Sequence, residues 1–552
     1  ALNIIRHRGP DDLHLEQTNN FCGGSVRLAI EALATGKQPI QDNRYIVGFN
    51  GEIFNYKSLT AQYGLDTKLV NSEVSFLLHG WRNKGAKLLN DLDGQFAIYV
   101  YDKLQKELFL SRDPYGIRPI FFYHKGSEIA FCSEIKGIFA LFKRIFEISE
   151  RSIAQIAMFW TCIGTNSIFE MVKQVPPGHY IRWKRGKIKQ HRYWQDPILS
   201  NEPDHIMTES QALDLLRDTL EGSVRNQVHG SVGHASYLSG GIDSSALGHF
   251  LSKNNPNERL DTFSIAFESK EYDESDAQRK LSNFLATNHR TLKIENKDIA
   301  NNFPRVIWHA ETLLFRTAPV PLYLLSKEVR NAGHKVVFTG EGADEILLGY
   351  DIFFERRIRE FWARQPKSNS RPALLQRLYH YLPQFKESRY FSILKDFYKS
   401  NLTNIDNVFY SHLIRWAQYQ QVSSHFNFSS SVTEDSLLEE LLNYLPKAFC
   451  MLSGDRKTQI IEYETLLTGY LLSSQGDRMS MAHSVEGRYP FLSQTFVTNM
   501  AKLHSLQKAR LIGSKSLFRK SMRGLLTEDI VERPKVAYQA PEAKSFLSEN
   551  HS

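Results

Sequence analysis

Ser239-Gly240-Gly241-Ile242-Asp243-Ser244-Ser245 is the stretch on which the reading of this 552-residue chain turns. The apolar run Ala235-Ser236-Tyr237-Leu238 precedes it and Ala246-Leu247-Gly248-His249-Phe250-Leu251 follows it, so the pattern predicts a strand, a tight turn and a helix start. Two glycines let the backbone curl and approach a ligand closely. The first turn of a helix offers unpaired N–H groups and the positive end of its dipole, which suit a phosphate. Ser239, Ser244 and Ser245 add hydroxyl donors, and a carboxylate at Asp243 makes sense beside phosphates if it holds Mg²⁺. No lysine follows the glycines, so this is not the common GxxxxGK[ST] nucleotide loop. The bland alternative is a serine- and glycine-rich turn with no ligand.

Working outward, the length exceeds one core and predicts at least two domains. A hydrophobic share of 42% with 23% charged residues is that of a soluble globular protein, and no apolar run approaches the roughly 18 residues of a membrane span. The net charge of +8 is mild for this length and scattered, which argues against a nucleic-acid partner. Cys22, Cys132, Cys162 and Cys450 form no CxxC pair, which excludes the usual zinc and thiol-redox motifs and fits a reducing, cytoplasmic compartment. No signal peptide is visible from Ala1 onward.

Upstream, Ala1–Ile5 reads as the tail of a helix and Arg6–Asp12 as a polar turn. Residues 24–30, 44–49, 95–101, 107–111 and 119–123 are β-branched and aromatic runs bounded by Gly, Asp or Pro, hence strands. Residues 72–81 and 84–92 read as helices between them. Packed antiparallel sheets with helices outside follow. The ordered series RHRGPDD (6–12), Arg27-Leu28-Ala29-Ile30, Gln38-Pro39, Asn50-Gly51-Glu52-Ile53-Phe54-Asn55-Tyr56 and Arg112-Asp113-Pro114-Tyr115-Gly116-Ile117-Arg118-Pro119 resembles the glutaminase domain of the glutamine-hydrolysing asparagine synthetases. The resemblance implies an N-terminal-nucleophile αββα sandwich over residues 1–195. It implies that Arg27 pairs with the glutamine α-carboxylate, Asn50 and Gly51 form the oxyanion hole, and Glu52 accepts from the α-ammonium.

Two departures bear on that. The family's nucleophile is an N-terminal cysteine some tens of residues before the HRGPD motif, and this sequence starts five residues before it; Cys22 lies after the motif and is read as a small strand residue. Asn71 occupies the position where the family usually carries an aspartate for the glutamine ammonium. The expectation is a chain that uses free ammonia and not glutamine.

Residues 196–209 are polar and proline-containing and read as a linker. From about Ser210 to Val228 a helix follows, with Ala212, Leu215, Leu216, Leu220 and Val224 at helical spacing. Beyond it, strands at 260–267 and 335–339 alternate with helices at 275–288 and 321–331, which predicts an α/β parallel sheet with ligands at the strand C-termini and helical additions through residue 552. Gly340-Glu341-Gly342-Ala343-Asp344-Glu345 directly follows one of these strands. With residues 476–492 (GDRMSMAHSVEGRYPFL), Arg533-Pro534-Lys535 and Pro541, this resembles the ATP pyrophosphatase domain of the same family, over 210–552.

The resemblance implies a cradle for the ATP pyrophosphate from Ser239, Gly240, Gly241 and Ser244. Leu238, Ile265, Thr339 and Gly340 would line the nucleotide, Asp243 and Asp344 hold Mg²⁺, Glu341 act as base in amide formation, and Lys535 offset phosphate charge. A carboxylate, nominally aspartate, would be adenylated and then amidated. Changes at Thr312-Leu313-Leu314-Phe315-Arg316, Leu348-Gly349-Tyr350 and Ser493 touch the expected acceptor pocket, so amidation or cyclisation of another carboxylate is the alternative. Other classes are a tRNA-modifying nucleotide-loop enzyme, opposed by the lack of a CxxC pair, and a non-catalytic scaffold, opposed by the retained Asp243, Glu341, Asp344 and Lys535. Basic and aromatic residues in 350–470, including Arg356, Arg357 and Arg359, are read as flanking amphipathic helices, not as an RNA surface. A homodimer is left open.

Overall fold

Along the strand Gly94–Asp102 nearly every side chain is buried, because the strand has protein on both faces. Phe96, Ile98 and Val100 point to one core, and Ala97, Tyr99 and Tyr101 to another, as the two-residue period of a strand requires. The structure is a computed structural model describing all residues except 204–205, 229, 231, 270–271, 379–387, 511–512, 537 and 548–552. Strand order in the first sheet is Lys187–Arg192, His179–Lys184, Glu107–Arg112, Gly94–Asp102, Tyr45–Ile53, Ile40–Gln41, all antiparallel. One face carries the helix Glu73–Lys84, whose Val74, Leu77 and Trp81 share a core with Val47 and Phe96. On the other face Ile46, Tyr99 and Leu110 meet Ile120 and Phe122 beside and on a three-stranded sheet of Glu128–Cys132, Phe121–Lys125 and Val172–Gln174. The helix Ile135–Phe142 covers that sheet through Ile135 and Ile138. The layers are therefore helix, sheet, sheet, helix.

A five-stranded parallel sheet follows, in the order Asn288–Ile294, Asp261–Phe267, His234–Tyr237, Val336–Phe338, Glu486–Arg488. Its successive residues again split between two cores: Val336 and Phe338 lie with helices Glu209–Gln227 and Ile242–Asn254, while Ala235, Phe263 and Val337 lie with Pro319–Asn331. The strand order reverses between His234–Tyr237 and Val336–Phe338. Such a switch point opens a crevice at the C-terminal strand ends, and the 239–245 and 340–345 loops both leave from it.

Several local expectations are corrected. Leu2–Arg8 is one 3-10 helix, so Arg6–Arg8 are not in a turn. Residues 84–92 give only a 3-10 segment, Gly85–Asn90. The helix expected over 275–288 stops at Phe284, because Asn288–Ile294 forms the edge strand of the sheet, with polar exposed residues that hid it. Within the expected linker, Ile198 is buried, and Glu202 accepts from Ser453 Oγ and from the Ser505 backbone N–H at 3.0 Å. Tyr463–Asp477 is a 15-residue π-helix that no sequence signal announced. Arg356 and Arg357 pair with Asp455 at 2.6 and 2.9 Å, and Arg359 donates to the carbonyls of Tyr398, Ser400 and Tyr410, so these basic residues are committed inside the molecule. Among the described residues no helix is long and apolar enough to cross a membrane.

Buried ion pairs join the sandwich to the sheet domain. Arg8 and Arg118 reach Asp477 at 2.8 and 2.7 Å, Lys136 reaches Glu311 at 3.0 Å, and Arg488 reaches Glu52 at 3.1 Å, while Arg478 braces Glu311 at 3.1 Å from within the second domain. The segment 476–492 supplies Asp477, Arg478 and Arg488, which explains the density of charge there.

Candidate active site

The helix Ile242–Asn254 begins at Gly241 with no side chain capping its first N–H groups, so they face outward into the crevice. The hydroxyls hold the turn itself: Ser239 Oγ lies 3.1 Å from Ser244 Oγ, and Ser245 Oγ donates to Gly241 O at 2.7 Å. Gly240 has φ +76°, and a Cβ there would stand 2.7 Å from Arg533 Nη1. Arg533 donates to Gly240 O at 3.1 Å and to Glu274 at 2.8 Å, clamping the loop from outside. Leu238, Ser239, Gly241, Asp243, Ser244, Ile265, Thr339, Gly340, Glu341, Asp344 and Lys535 all line one cleft of about 340 Å³; Gly240 supports it from behind.

Asp243 and Asp344 do come together, but through a residue the sequence reading missed. Lys515 Nζ donates to Asp243 Oδ1 and Oδ2 at 2.6 and 2.7 Å and lies 2.6 Å from Asp344 Oδ1. Lys535 donates to Asp344 Oδ2 at 2.6 Å. Lys515 is almost fully buried and adopts φ +51°, a left-handed conformation that costs a lysine about 1–2 kcal/mol. Gly349 makes room: a Cβ there would overlap Asp344 Oδ1 and Lys515 Cε. Nothing in one sequence distinguishes this lysine from a surface charge.

Burial pushes the Glu341 carboxyl up to about 7, with Lys535 opposing. Burial also raises Asp344, but Lys515 and Lys535 outweigh it and hold that group down near about 2. Neighbouring carboxyls on one loop are thus driven apart, one near neutrality and one permanently ionised, as a proton-accepting site requires. Glu345 is pushed up to about 8 by burial and by Asp344, and it accepts from Tyr350 OH at 2.9 Å.

Asp344 Oδ1 makes no aligned hydrogen bond. Two carboxylates facing one shared cation position, with a lone pair left over, form the oxygen donor set that Mg²⁺ takes together with substrate phosphates. Among the described residues no third His, Cys, Asp or Glu joins them.

In the sandwich, Arg27, Asn50, Gly51 and Glu52 line a second cavity of about 950 Å³. Gly51 has φ +125°, and a Cβ would overlap Gln95 O. Asn50 Nδ2 is buried with no acceptor among the described residues, as an oxyanion donor would be. Two other residues sit differently from expectation. Arg27 donates to the carbonyls of Glu31, Ala32 and Leu33 at 2.8–3.1 Å, so the fork is engaged by its own loop. Asn71 is on the exposed rim and does not line the cavity, whereas Ser72 and Glu73 do. Glu52 is paired with Arg488, and burial lifts its carboxyl to about 7 against that charge. Cys22 is exposed and lines the cavity too. Ser493 caps the helix Gln494–Ala501 and lies outside the nucleotide cleft.

Against known proteins, the family model described as asparagine synthase matches residues 215–551, more than half of the chain. The chain belongs to the asparagine synthase family. The model for the glutamine amidotransferase domain matches residues 1–194 of this family member. It is 27% identical over 555 residues to the asparagine synthetase [glutamine-hydrolyzing] 1 of Bacillus subtilis, covering 98% of this chain and 83% of that one. It is also 27% identical over 576 residues to amidase chry2 of Gibberella zeae (98% and 84% covered) and 25% identical over 578 residues to amidase chyE of Penicillium rubens (98% and 84%). Membership makes it an amide-forming ligase with an N-terminal-nucleophile-type domain attached; relatives under different names align over nearly all of this chain.

Proposed function

We propose that the chain adenylates a carboxylic acid with ATP and amidates it with ammonia, with residues 1–195 as the glutaminase-type domain, 196–209 as the linker and 210–552 as the synthetase. The observation that carries this reading is the convergence of the 239–245 loop, Asp243, Glu341, Asp344, Lys515 and Lys535 on one cleft at the switch point. Asp243 and Asp344 would hold Mg²⁺, which would supply charge neutralisation to the phosphates. The N–H groups opening Ile242–Asn254 and the two lysines hold the pyrophosphate portion. An acceptor carboxylate oxygen then forms a bond to the α-phosphorus while the bond to pyrophosphate breaks. Ammonia attacks the carbonyl carbon of the acyl-adenylate, Glu341 takes a proton from the nitrogen, and AMP leaves. Aspartate is the nominal acceptor; the amidase relatives support the alternative that another carboxylate is used. ATP–pyrophosphate exchange with aspartate, scored beside other carboxylic acids, is the direct test. No exchange with any acid, despite tight ATP–Mg²⁺ binding, defeats the ligase reading in favour of a scaffold.

Because Glu341 must be ionised to accept a proton and its carboxyl sits near about 7, amide formation is expected to rise with pH through that value and then level off. The measurement is kcat at constant free-ammonia concentration. A rate already flat from pH 5.5 upward counts against Glu341 as base.

For the sandwich, we propose that the chain by itself releases no glutamate from glutamine. Cys162 and Cys450 do not line the sandwich cavity, burial pushes the Cys132 thiol up to about 11, and Cys22 lies within the strand Phe21–Arg27, where it has no free amino group of its own to act as base. Glutamate formation above background by purified chain overturns this.

A further inference from the structure

The synthetase cleft holds a second polar cluster that the reaction outlined above does not use. Arg316 stacks on Trp160, its guanidinium carbon 4.7 Å from the ring centroid. Tyr470 meets the same indole edge-on at 5.9 Å between centroids. All three line the cleft together with Asp243 and Glu341. Tyr470 is 5% exposed, and its hydroxyl is buried with no partner among the described residues. A buried phenol without a partner leaves a desolvated donor unsatisfied, a penalty that a bound ligand's acceptor removes. Arg316, half-buried, has no acidic side chain at ion-pair distance among the described residues. Trp160 comes from the first domain and holds φ +65° at the end of helix Glu150–Phe159, where glycine is the usual residue, so the indole is retained at a conformational cost.

A charge inventory of the cleft sharpens this. Asp243 and Asp344 are taken by Lys515 and Lys535, Glu274 by Arg533, and Glu341 is reserved for the attacking nitrogen. Arg519 donates to the carbonyls of Ser514 and Arg533. Among the described residues lining the cleft, the carboxylates are thus engaged, whereas the Arg316 guanidinium has no acidic partner and the Tyr470 hydroxyl is buried with no acceptor. That combination receives an anion and brings no free carboxylate to an ammonium.

Resting on the ligase reading, we propose that Arg316, oriented by Trp160, and Tyr470 bind a second carboxylate of the acceptor, so that the preferred acceptor is a dicarboxylic acid without an α-ammonium group. The guanidinium fork takes two oxygens in its plane, the phenol donates a third hydrogen bond, and the distal carboxylate is left toward the phosphates. Aspartate places a cation beside Arg316 and is the poorer substrate.

The test is ATP–pyrophosphate exchange with succinate, glutarate, aspartate, β-alanine and propionate as acceptors. Succinate or glutarate is expected to exceed aspartate in kcat/KM by about tenfold or more, and Arg316→Ala to raise KM for the favoured diacid about 10- to 100-fold while KM for ATP and for propionate stays put. Arg316→Lys restores part of the loss, and Tyr470→Phe gives a smaller rise. A preference for aspartate, an equal loss for propionate, or a shift in KM for ATP overturns the proposal. Binding is read separately from turnover, as the change in Trp160 emission on adding succinate, isolated by subtracting the Trp160→Phe signal. Succinate that perturbs Trp160 in the wild type but not in Arg316→Ala, with no exchange for any acid, sinks the ligase reading and leaves the anion site standing. No perturbation and no exchange sinks both.

Discussion

Lys515→Met is expected to lower ATP–pyrophosphate exchange by about two to three orders of magnitude, comparable to removing one preorganised donor at a charge-developing site. Among the described residues, Lys515 Nζ is the cation within hydrogen-bond distance of both Asp243 and Asp344. Methionine fills a similar volume, so the loss is one of charge. Removing one partner from a buried ion pair typically costs about 3–5 kcal/mol, and a lowered melting temperature is expected in the absence of metal. Asp344 retains Lys535 at 2.6 Å, which keeps the loop from unfolding outright. Two carboxylates left facing each other bind a divalent cation more readily, so Mg²⁺ should raise the melting temperature of the variant more than that of the wild type. Equal Mg²⁺ shifts in the two proteins would count against a shared metal position. Gly349→Ala, whose Cβ would overlap both Asp344 and Lys515, is expected to reproduce the activity loss by displacing the same groups.

Glu341→Gln separates the two half-reactions. Pyrophosphate exchange needs the phosphate cradle, the aspartates and the lysines, and it passes no proton to or from Glu341. Exchange should persist within a few-fold, while amide formation with ammonia falls by about 10²- to 10⁴-fold, the usual contribution of a positioned base. The residual rate should also lose the rise through pH 7, since the group responsible is gone. Glutamine preserves shape and hydrogen-bonding capacity, so the comparison isolates the proton. Exchange and amidation falling together would assign Glu341 to substrate binding instead.

Most of the architecture was legible beforehand because its signals are local. The Glu209–Gln227 helix matched its 3.6-residue spacing, and the long strands of the sandwich announced themselves through β-branched and aromatic runs. Asn288–Ile294 was missed because an edge strand with one solvated face carries polar residues, and its pairing with Asp261–Phe267 is decided by the neighbour, not by composition. The Tyr463–Asp477 π-helix was missed for a related reason: its i→i+5 register is held by packing on both sides, and no residue pattern demands it.

By itself, the sequence determined the family, the two loop motifs and the chemistry each is suited to, since a glycine-rich turn before a helix and a carboxylate pair after a strand carry their physical meaning locally. Only the tertiary structure decided which charges meet. Lys515 reaches residues 272 and 171 positions away, Arg488 crosses the domain boundary to Glu52, and Trp160, Arg316 and Tyr470 converge from three separate segments. Such contacts depend on the sheet order, which reverses between His234–Tyr237 and Val336–Phe338 and so brings the two loops, with everything packed behind them, to one crevice. Electrostatic energy falls with distance through space and not along the chain, which is why the placement of each ionisable group, and with it the division of labour between Glu341 and Asp344, waited on the fold.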